Sequence, residues 1–197
     1  MMNQYAKADF WTKKAFSEGY PARSVYKLEE INKKFKLFSP SDKILDLGAA
    51  PGSWTSFVLR RMTPNAMICA VDLKPLAENI IDERLHFFQG DLYSKQIIQS
   101  VKELGPYNAV ICDAAPATTG NKTVDTARSL GLVELAVFYA QEMLVKSGNF
   151  TVKIFQGGDR QQLLKDMRNI FDTVKTFKPQ ACRSSSFETY LIGLNRK

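Results

Sequence analysis

Short apolar segments that close on a small or acidic residue alternate along this chain with longer segments of helical spacing. That alternation constrains the fold more than any other feature. Lys43–Leu47, Met67–Asp72, Leu85–Gln89, Tyr107–Asp113 and Asn149–Phe155 read as strands. Helices are expected from Gly52 to about Met62, over Ser94–Leu104, over Thr126–Val145 with Gly148 ending it, and over Arg160–Phe171. Upstream, Ser24 is placed to cap a helix to about Phe35, with Val25, Leu28, Ile31 and Phe35 on one face. Apolar strands separated by helices predict a mostly parallel sheet with helices on both faces. Thr173–Lys178 and Thr189–Leu194 are the last strands. No helix separates them, so an antiparallel strand is expected at that edge. The fold class is α/β: a Rossmann-like, mostly parallel, seven-stranded sheet.

The 197 residues suit one domain, 1–197, in which residues 1–22 form an irregular or partly helical arm. Hydrophobic residues make up 45% and charged residues 24%, which supplies a core and argues against a disordered chain. The longest strictly apolar run, Ala66–Val71, is far below the ~20 residues that span a bilayer, so no membrane segment is expected. Met1 to Lys14 is polar, charged and aromatic rather than leader-like. Cys69, Cys112 and Cys182 form no Cys-x-x-Cys pair, and His86 is the single histidine. The expectation is therefore no structural metal, no disulfide framework and a cytoplasmic setting. Cys69 and Cys112 sit in apolar runs and read as core residues.

The net charge is +7, and it is unevenly placed: +4 over residues 1–43, −3 over 44–145 and +6 over 146–197. A polyanion could lie across both basic ends while the acidic middle takes a smaller, cationic ligand. Charge alone does not separate that reading from a merely basic surface. Lys13, Lys14, Lys33, Lys34 and Lys36 are candidate phosphate contacts. Phe10, Trp11, Phe16 and Tyr20 would either stack on unpaired bases or pack the arm onto the sheet. No coiled-coil pattern appears, and a monomer is expected.

Open α/β sheets bind ligands outside the carboxyl ends of their strands, near the switch in strand order. Asp46–Leu–Gly48–Ala–Ala–Pro51–Gly52–Ser–Trp54 follows the first strand there. Its glycines permit a tight turn and close backbone approach to a ligand. It lacks the G-x-G-x-x-G dinucleotide fingerprint, which counts against a nicotinamide oxidoreductase. Asp72 could accept from ribose hydroxyls, Asp91 from an adenine amino group, and Asp113 would approach the far side of the pocket. Four strand-end carboxylates suit S-adenosyl-L-methionine, which carries a sulfonium and an ammonium, better than a pyrophosphate. Taken singly, each reads as well as a turn or cap.

Lys153 is flanked by apolar residues in a segment that reads as a central strand, where lysine is rare. Glu188 opens the last strand and Lys27 lies on the first helix; each also has a plain surface reading. Together they join a set of motifs: Arg23–Ser24, Tyr26–Lys27, Asp46–Gly52, Asp113–Ala–Ala–Pro116, Val152–Lys153–Ile–Phe–Gln156–Gly157, and Arg183–Ser184 with Ser186, Glu188 and Tyr190. On these motifs the chain resembles the FtsJ/RrmJ family of S-adenosylmethionine-dependent RNA ribose 2′-O-methyltransferases, from about Tyr20 to Lys197. Nearest are the bacterial members that methylate a uridine of large-subunit ribosomal RNA.

The resemblance implies a methyltransferase fold and a Lys27–Asp113–Lys153–Glu188 tetrad. Lys153 would be the proton acceptor, because a neutral, buried amine can take a proton. Asp113 and Glu188 would orient the ammonium groups, and Lys27 would set the local charge and hold the hydroxyl. Asp46, Gly48, Pro51, Gly52, Trp54, Asp72, Asp91 and Asp113 would contact the cofactor, without metal. RNA, as large-subunit rRNA or the ribosomal large subunit, would be the partner. Transfer RNA is the alternative substrate, and a non-catalytic RNA-binding relative is a further one that the intact tetrad disfavours. Ser53 stands where many bacterial members have a second glycine, and Ala117–Thr118–Thr119–Gly120 replaces their usual Asn-containing loop.

Overall fold

The computed structural model describes residues 9–116, 119–155, 161–183 and 186–197. Ala117, Thr118, Gln156, Gly157, Arg160 and Ser184 lie outside the described residues. Among the described residues, seven strands form one sheet: β1 (Lys43–Leu47), β2 (Met67–Asp72), β3 (Leu85–Gln89), β4 (Tyr107–Cys112), β5 (Leu144–Phe155), β6 (Phe171–Phe177) and β7 (Glu188–Arg196). Their order is β3-β2-β1-β4-β5-β7-β6. The first five are parallel, and β7 runs antiparallel to both β5 and β6. The antiparallel strand thus lies one place in from the edge, with β6 outermost. The chain leaves β1 toward β3 and returns to β4, so the switch point lies between β1 and β4.

Among the described residues, six helices surround the sheet: α1 (Phe10–Ser17), α2 (Val25–Phe35), α3 (Ser53–Leu59), α4 (Lys95–Leu104), α5 (Lys122–Met143) and α6 (Gln161–Ile170). Side-chain alternation divides the core. Ile44, Ile68, Ala109, Ile111, Tyr190 and Ile192 face Val25, Leu28 and Ile31 of α2 and Trp54, Phe57 and Val58 of α3. Leu45, Val71, Val110, Cys112, Val152 and Leu191 face the α4–α6 layer through Val101, Val133, Tyr139, Ala140, Leu163 and Met167. Both faces of β1, β2 and β4 are buried, which is why their sequences are nearly unbroken apolar runs. Each fully buried aliphatic side chain contributes about 1.5–3 kcal/mol.

Three local expectations change. Ser24 makes no side-chain cap, because it is already in the α-region at φ −59° and ψ −21°; its carbonyl accepts the Trp54 Nε1–H at 2.8 Å instead. α5 begins earlier than expected because Asn121 Oδ1 caps it, accepting from Thr123 N at 3.0 Å and Val124 N at 3.3 Å. Gly148 does not end that helix: α5 stops at Met143, the chain enters β5 directly, and Gly148 lies within β5. A Cβ there would lie 3.1 Å from the Asn108 carbonyl oxygen, next to the register shift between Tyr107 and Ala109.

Gly193 of β7 supplies a fold test. Phe171 stacks on Phe150 with centroids 5.8 Å apart and planes at 5°, and a Cβ at Gly193 would lie 2.6 Å from the Phe171 ring. Gly193→Val should lower stability by about 1–3 kcal/mol through overpacking. Urea denaturation checks this, and an unchanged midpoint would contradict it.

Candidate active site

β4 and β5 place Cys112 beside Val152, so Asp113, the residue after β4, comes level with Lys153. The antiparallel β5–β7 ladder sets Lys153 opposite Tyr190 and Phe155 opposite Glu188. Alternation then puts Lys153, Glu188 and Tyr190 on one face, the face covered by α2. Lys27 reaches the same place from α2.

Two ion pairs result. Lys153 Nζ lies 3.0 Å from Asp113 Oδ1 and donates to the Asp113 carbonyl oxygen at 2.5 Å. Lys27 Nζ lies 2.7 Å from Glu188 Oε1. Both lysines are only 9% exposed. The structure thus brings all four tetrad residues into paired contact. Tyr190, fully buried, donates its hydroxyl to Asp113 Oδ1 at 2.7 Å.

The glycine loop lies beside them at the end of β1. Gly48 has φ +74° and Gly52 has φ +105°, conformations that favour glycine. A Cβ at Gly48 would sit 2.5 Å from Ala114 Cβ, so this glycine lets the β1 loop press against the residues after Asp113. Asp46 is fully buried: Oδ2 accepts from Thr55 Oγ1 at 2.7 Å, while Oδ1 has no partner among the described residues. Pro51 contributes its carbonyl, which accepts from Ala77 N at 3.0 Å. Asp72 braces the loop, accepting from Ala50 N at 2.9 Å and Lys74 N at 2.8 Å. Asp91 accepts from Tyr93 N at 3.0 Å in the turn after β3. Trp54 is placed differently from a pocket wall. Its indole is buried, bonded to Ser24 and 5.9 Å from the Tyr190 ring, so it supports α2 and Tyr190 from within the core.

Residues 20–196 match the model of the FtsJ-like methyltransferases. The chain belongs to the FtsJ-like methyltransferase family. It is 70% identical over 195 residues to the ribosomal RNA large subunit methyltransferase E of Treponema denticola, covering 99% of this chain and 98% of that protein. It is 44% identical to the protein of that name from Treponema pallidum, covering 98% of this chain and 96% of that protein. Among solved structures it resembles one described as a ribosomal RNA methyltransferase from Plasmodium falciparum, at 26% identity and TM-score 0.77, covering 90% of this chain and 98% of that one.

The charges of this methyltransferase's tetrad stabilise one another. Burial pushes the Asp113 carboxyl up, but Lys153, Lys27 and the Tyr190 hydroxyl outweigh it and hold it below the usual carboxylate range. Burial pulls Lys27 down, but Asp113 and Glu188 outweigh it and raise its ammonium. Burial first and Asp113 second push Tyr190 well above the ordinary phenol value, so it stays a donor. The motifs give Tyr190 no role; its position opposite Lys153 in an antiparallel pair is the signal that places it at Asp113. Glu30 reads in the sequence only as part of the polar face of α2. It accepts from Gln180 N at 2.7 Å and Ala181 N at 2.8 Å, tying α2 to the segment before Glu188. Among the described residues, no three His, Cys, Asp or Glu side chains are grouped as metal ligands, and no helix is long and apolar enough to cross a membrane.

Asp46 supplies a pH test. Burial pushes its carboxyl up to about 7, opposed in part by the Thr55 hydroxyl. An acid whose folded pKa is raised binds its proton more tightly when folded. Stability is therefore lost as pH rises from the unfolded value near 4 toward 7, by roughly 3–4 kcal/mol in all. Asp46→Asn should abolish this component. Urea denaturation of both proteins between pH 4 and pH 8 checks it, and parallel stability curves would contradict it.

Proposed function

We propose that this methyltransferase moves the methyl group of S-adenosyl-L-methionine onto a ribose 2′-hydroxyl, at a uridine of large-subunit ribosomal RNA. The observation that carries this reading is the environment of the Lys153 amine. Asp113 offers it two acceptors, a carbonyl and a carboxylate oxygen. A neutral amine has two N–H groups and one lone pair, so these acceptors take the two N–H groups and leave the lone pair for a substrate hydroxyl. Lys153 would accept the hydroxyl proton, and the cofactor would supply the methyl group by breaking its sulfonium–methyl bond and leaving as S-adenosylhomocysteine. Lys27, kept charged by Glu188 and Asp113, stabilises the negative charge that develops on that oxygen.

The loop fits the cofactor. Asp46 presents a buried oxygen without a partner among the described residues, suited to a cationic ligand's N–H. Gly48, Pro51 and Gly52 present backbone at the end of β1, and Asp72, Asp91 and Asp113 stand at the ends of β2, β3 and β4, where ribose, adenine and the methionine end would be met. When bound, S-adenosyl-L-methionine supplies an electrophilic methyl group on sulfonium. The names of the Treponema relatives and the Plasmodium structure support ribosomal RNA as the substrate. The basic ends support a phosphate grip. In the arm, Tyr20 is buried and Trp11 packs on Tyr26, whereas Phe10 and Phe16 are exposed and available to bases. In this reading residues 1–197 act as one domain and as a monomer in the cytoplasm, without metal or membrane.

Lys153→Ala should slow methyl transfer by ~10²–10⁴-fold, the usual loss of a general base. Lys153→Arg should be nearly as slow, since a guanidinium stays protonated. Single-turnover rates at saturating cofactor and RNA test this. An arginine variant near the wild-type rate would remove Lys153 as the base.

A further inference from the structure

Arg23 and Arg183 stand beside the tetrad and take no part in it. Arg23 lies in the turn that opens α2, just before Lys27. Its Nη2 donates to the Ala181 carbonyl at 2.5 Å and its Nη1 to Asp9 Oδ2. Arg183 Nε lies 3.8 Å from that same Asp9 oxygen. Burial and the neighbouring Arg183 both pull Arg23 below the ordinary guanidinium value, while Glu188 of the tetrad acts in the opposite sense. Arg183 and Glu188 therefore both neighbour the Arg23 guanidinium. The Arg183 side chain is 63% exposed and that of Asp9 39%.

Two guanidiniums converging on one oxyanion form the arrangement that recognises phosphate. We propose that Arg23 and Arg183 bind an RNA phosphodiester beside the methylated ribose, and that Asp9 holds this place in the free protein as the phosphate's stand-in. The proposal rests on the reading of the chain as an RNA methyltransferase. The exchange replaces one monoanion with another, so the charge around the two arginines is unchanged when RNA arrives. Asp9 can release Oδ2 and still cap α1, because its other oxygen makes the cap. Oδ1 accepts from Thr12 N at 2.9 Å and from Thr12 Oγ1 at 3.0 Å. The cap keeps α1, with Lys13 and Lys14, formed while the arginines change partner.

Asp9→Asn separates capping from charge pairing, since asparagine caps a helix as well as aspartate but carries no charge. Its affinity for a large-subunit rRNA fragment should rise about twofold to fivefold, the worth of a partly exposed ion pair no longer competing. Asp9→Ser, a second neutral cap, should do the same. Arg183→Gln should weaken RNA binding roughly tenfold and lower the salt slope by about 1, as expected for one lost phosphate contact. In the Asp9→Asn, Arg183→Gln double variant, the gain from Asp9→Asn should shrink. S-adenosylhomocysteine binding by calorimetry reports that each variant is folded. Folded Asp9→Asn and Asp9→Ser that bind RNA no more tightly than wild type would overturn the proposal and leave Asp9 as a structural clasp. If wild type binds and methylates RNA while these affinities stay flat, only this proposal fails. If wild type binds no RNA, the reading of the substrate fails with it.

Discussion

The Asp113 carboxylate is the interaction on which the site depends. It ends β4 at the switch point, pairs with Lys153, feels Lys27 and accepts from Tyr190. A carboxylate this buried persists only when its charge and lone pairs are met, and removing one partner of such a pair costs about 3–5 kcal/mol. The tetrad sets two lysines against two carboxylates, so each carboxylate meets a lysine partner before a substrate hydroxyl enters. Without Asp113, two lysines would face each other over a single glutamate.

The sheet topology makes that convergence possible. The insertion of β7 between β5 and β6 sets Tyr190 opposite Lys153 and Glu188 one pleat further on. A β7 at the outer edge would carry both side chains away from Lys153. α2 must also be held at a fixed height for Lys27 to meet Glu188. Two hydrogen-bonded struts do this: Trp54 to the Ser24 carbonyl, and Glu30 to Gln180 and Ala181. The segment that carries Ala181 also receives Arg23, so the turn opening α2 and the approach to β7 are tied at several points.

Much of this was legible in the sequence. β1 and β2 match their apolar runs, because strands buried on both faces carry few polar residues to blur their ends; β3, at the partly exposed edge, matches as well. The tetrad was legible because a lysine inside an apolar strand demands a charge partner, and the motif pattern named three others. The start of α5 was not legible: its first turn, from Lys122, is polar and its apolar pattern begins only further along, so the Asn121 cap was overlooked. Gly148 misled because a glycine after a helical run usually stops a helix, whereas here it relieves crowding within a strand. The Tyr190 hydroxyl and the buried side of Trp54 depend on strand register and helix placement, which no local pattern contains.

The central claim is that this paired tetrad methylates a ribose 2′-hydroxyl in large-subunit rRNA. Nucleotide-resolution mapping of 2′-O-methylation, in cells lacking the gene and in cells complemented with wild type or Asp113→Ala, tests it most directly. The account predicts that one uridine of large-subunit rRNA loses its methyl group, regains it with wild type and fails to regain it with Asp113→Ala. An unchanged rRNA map, or a loss confined to transfer RNA, would contradict it.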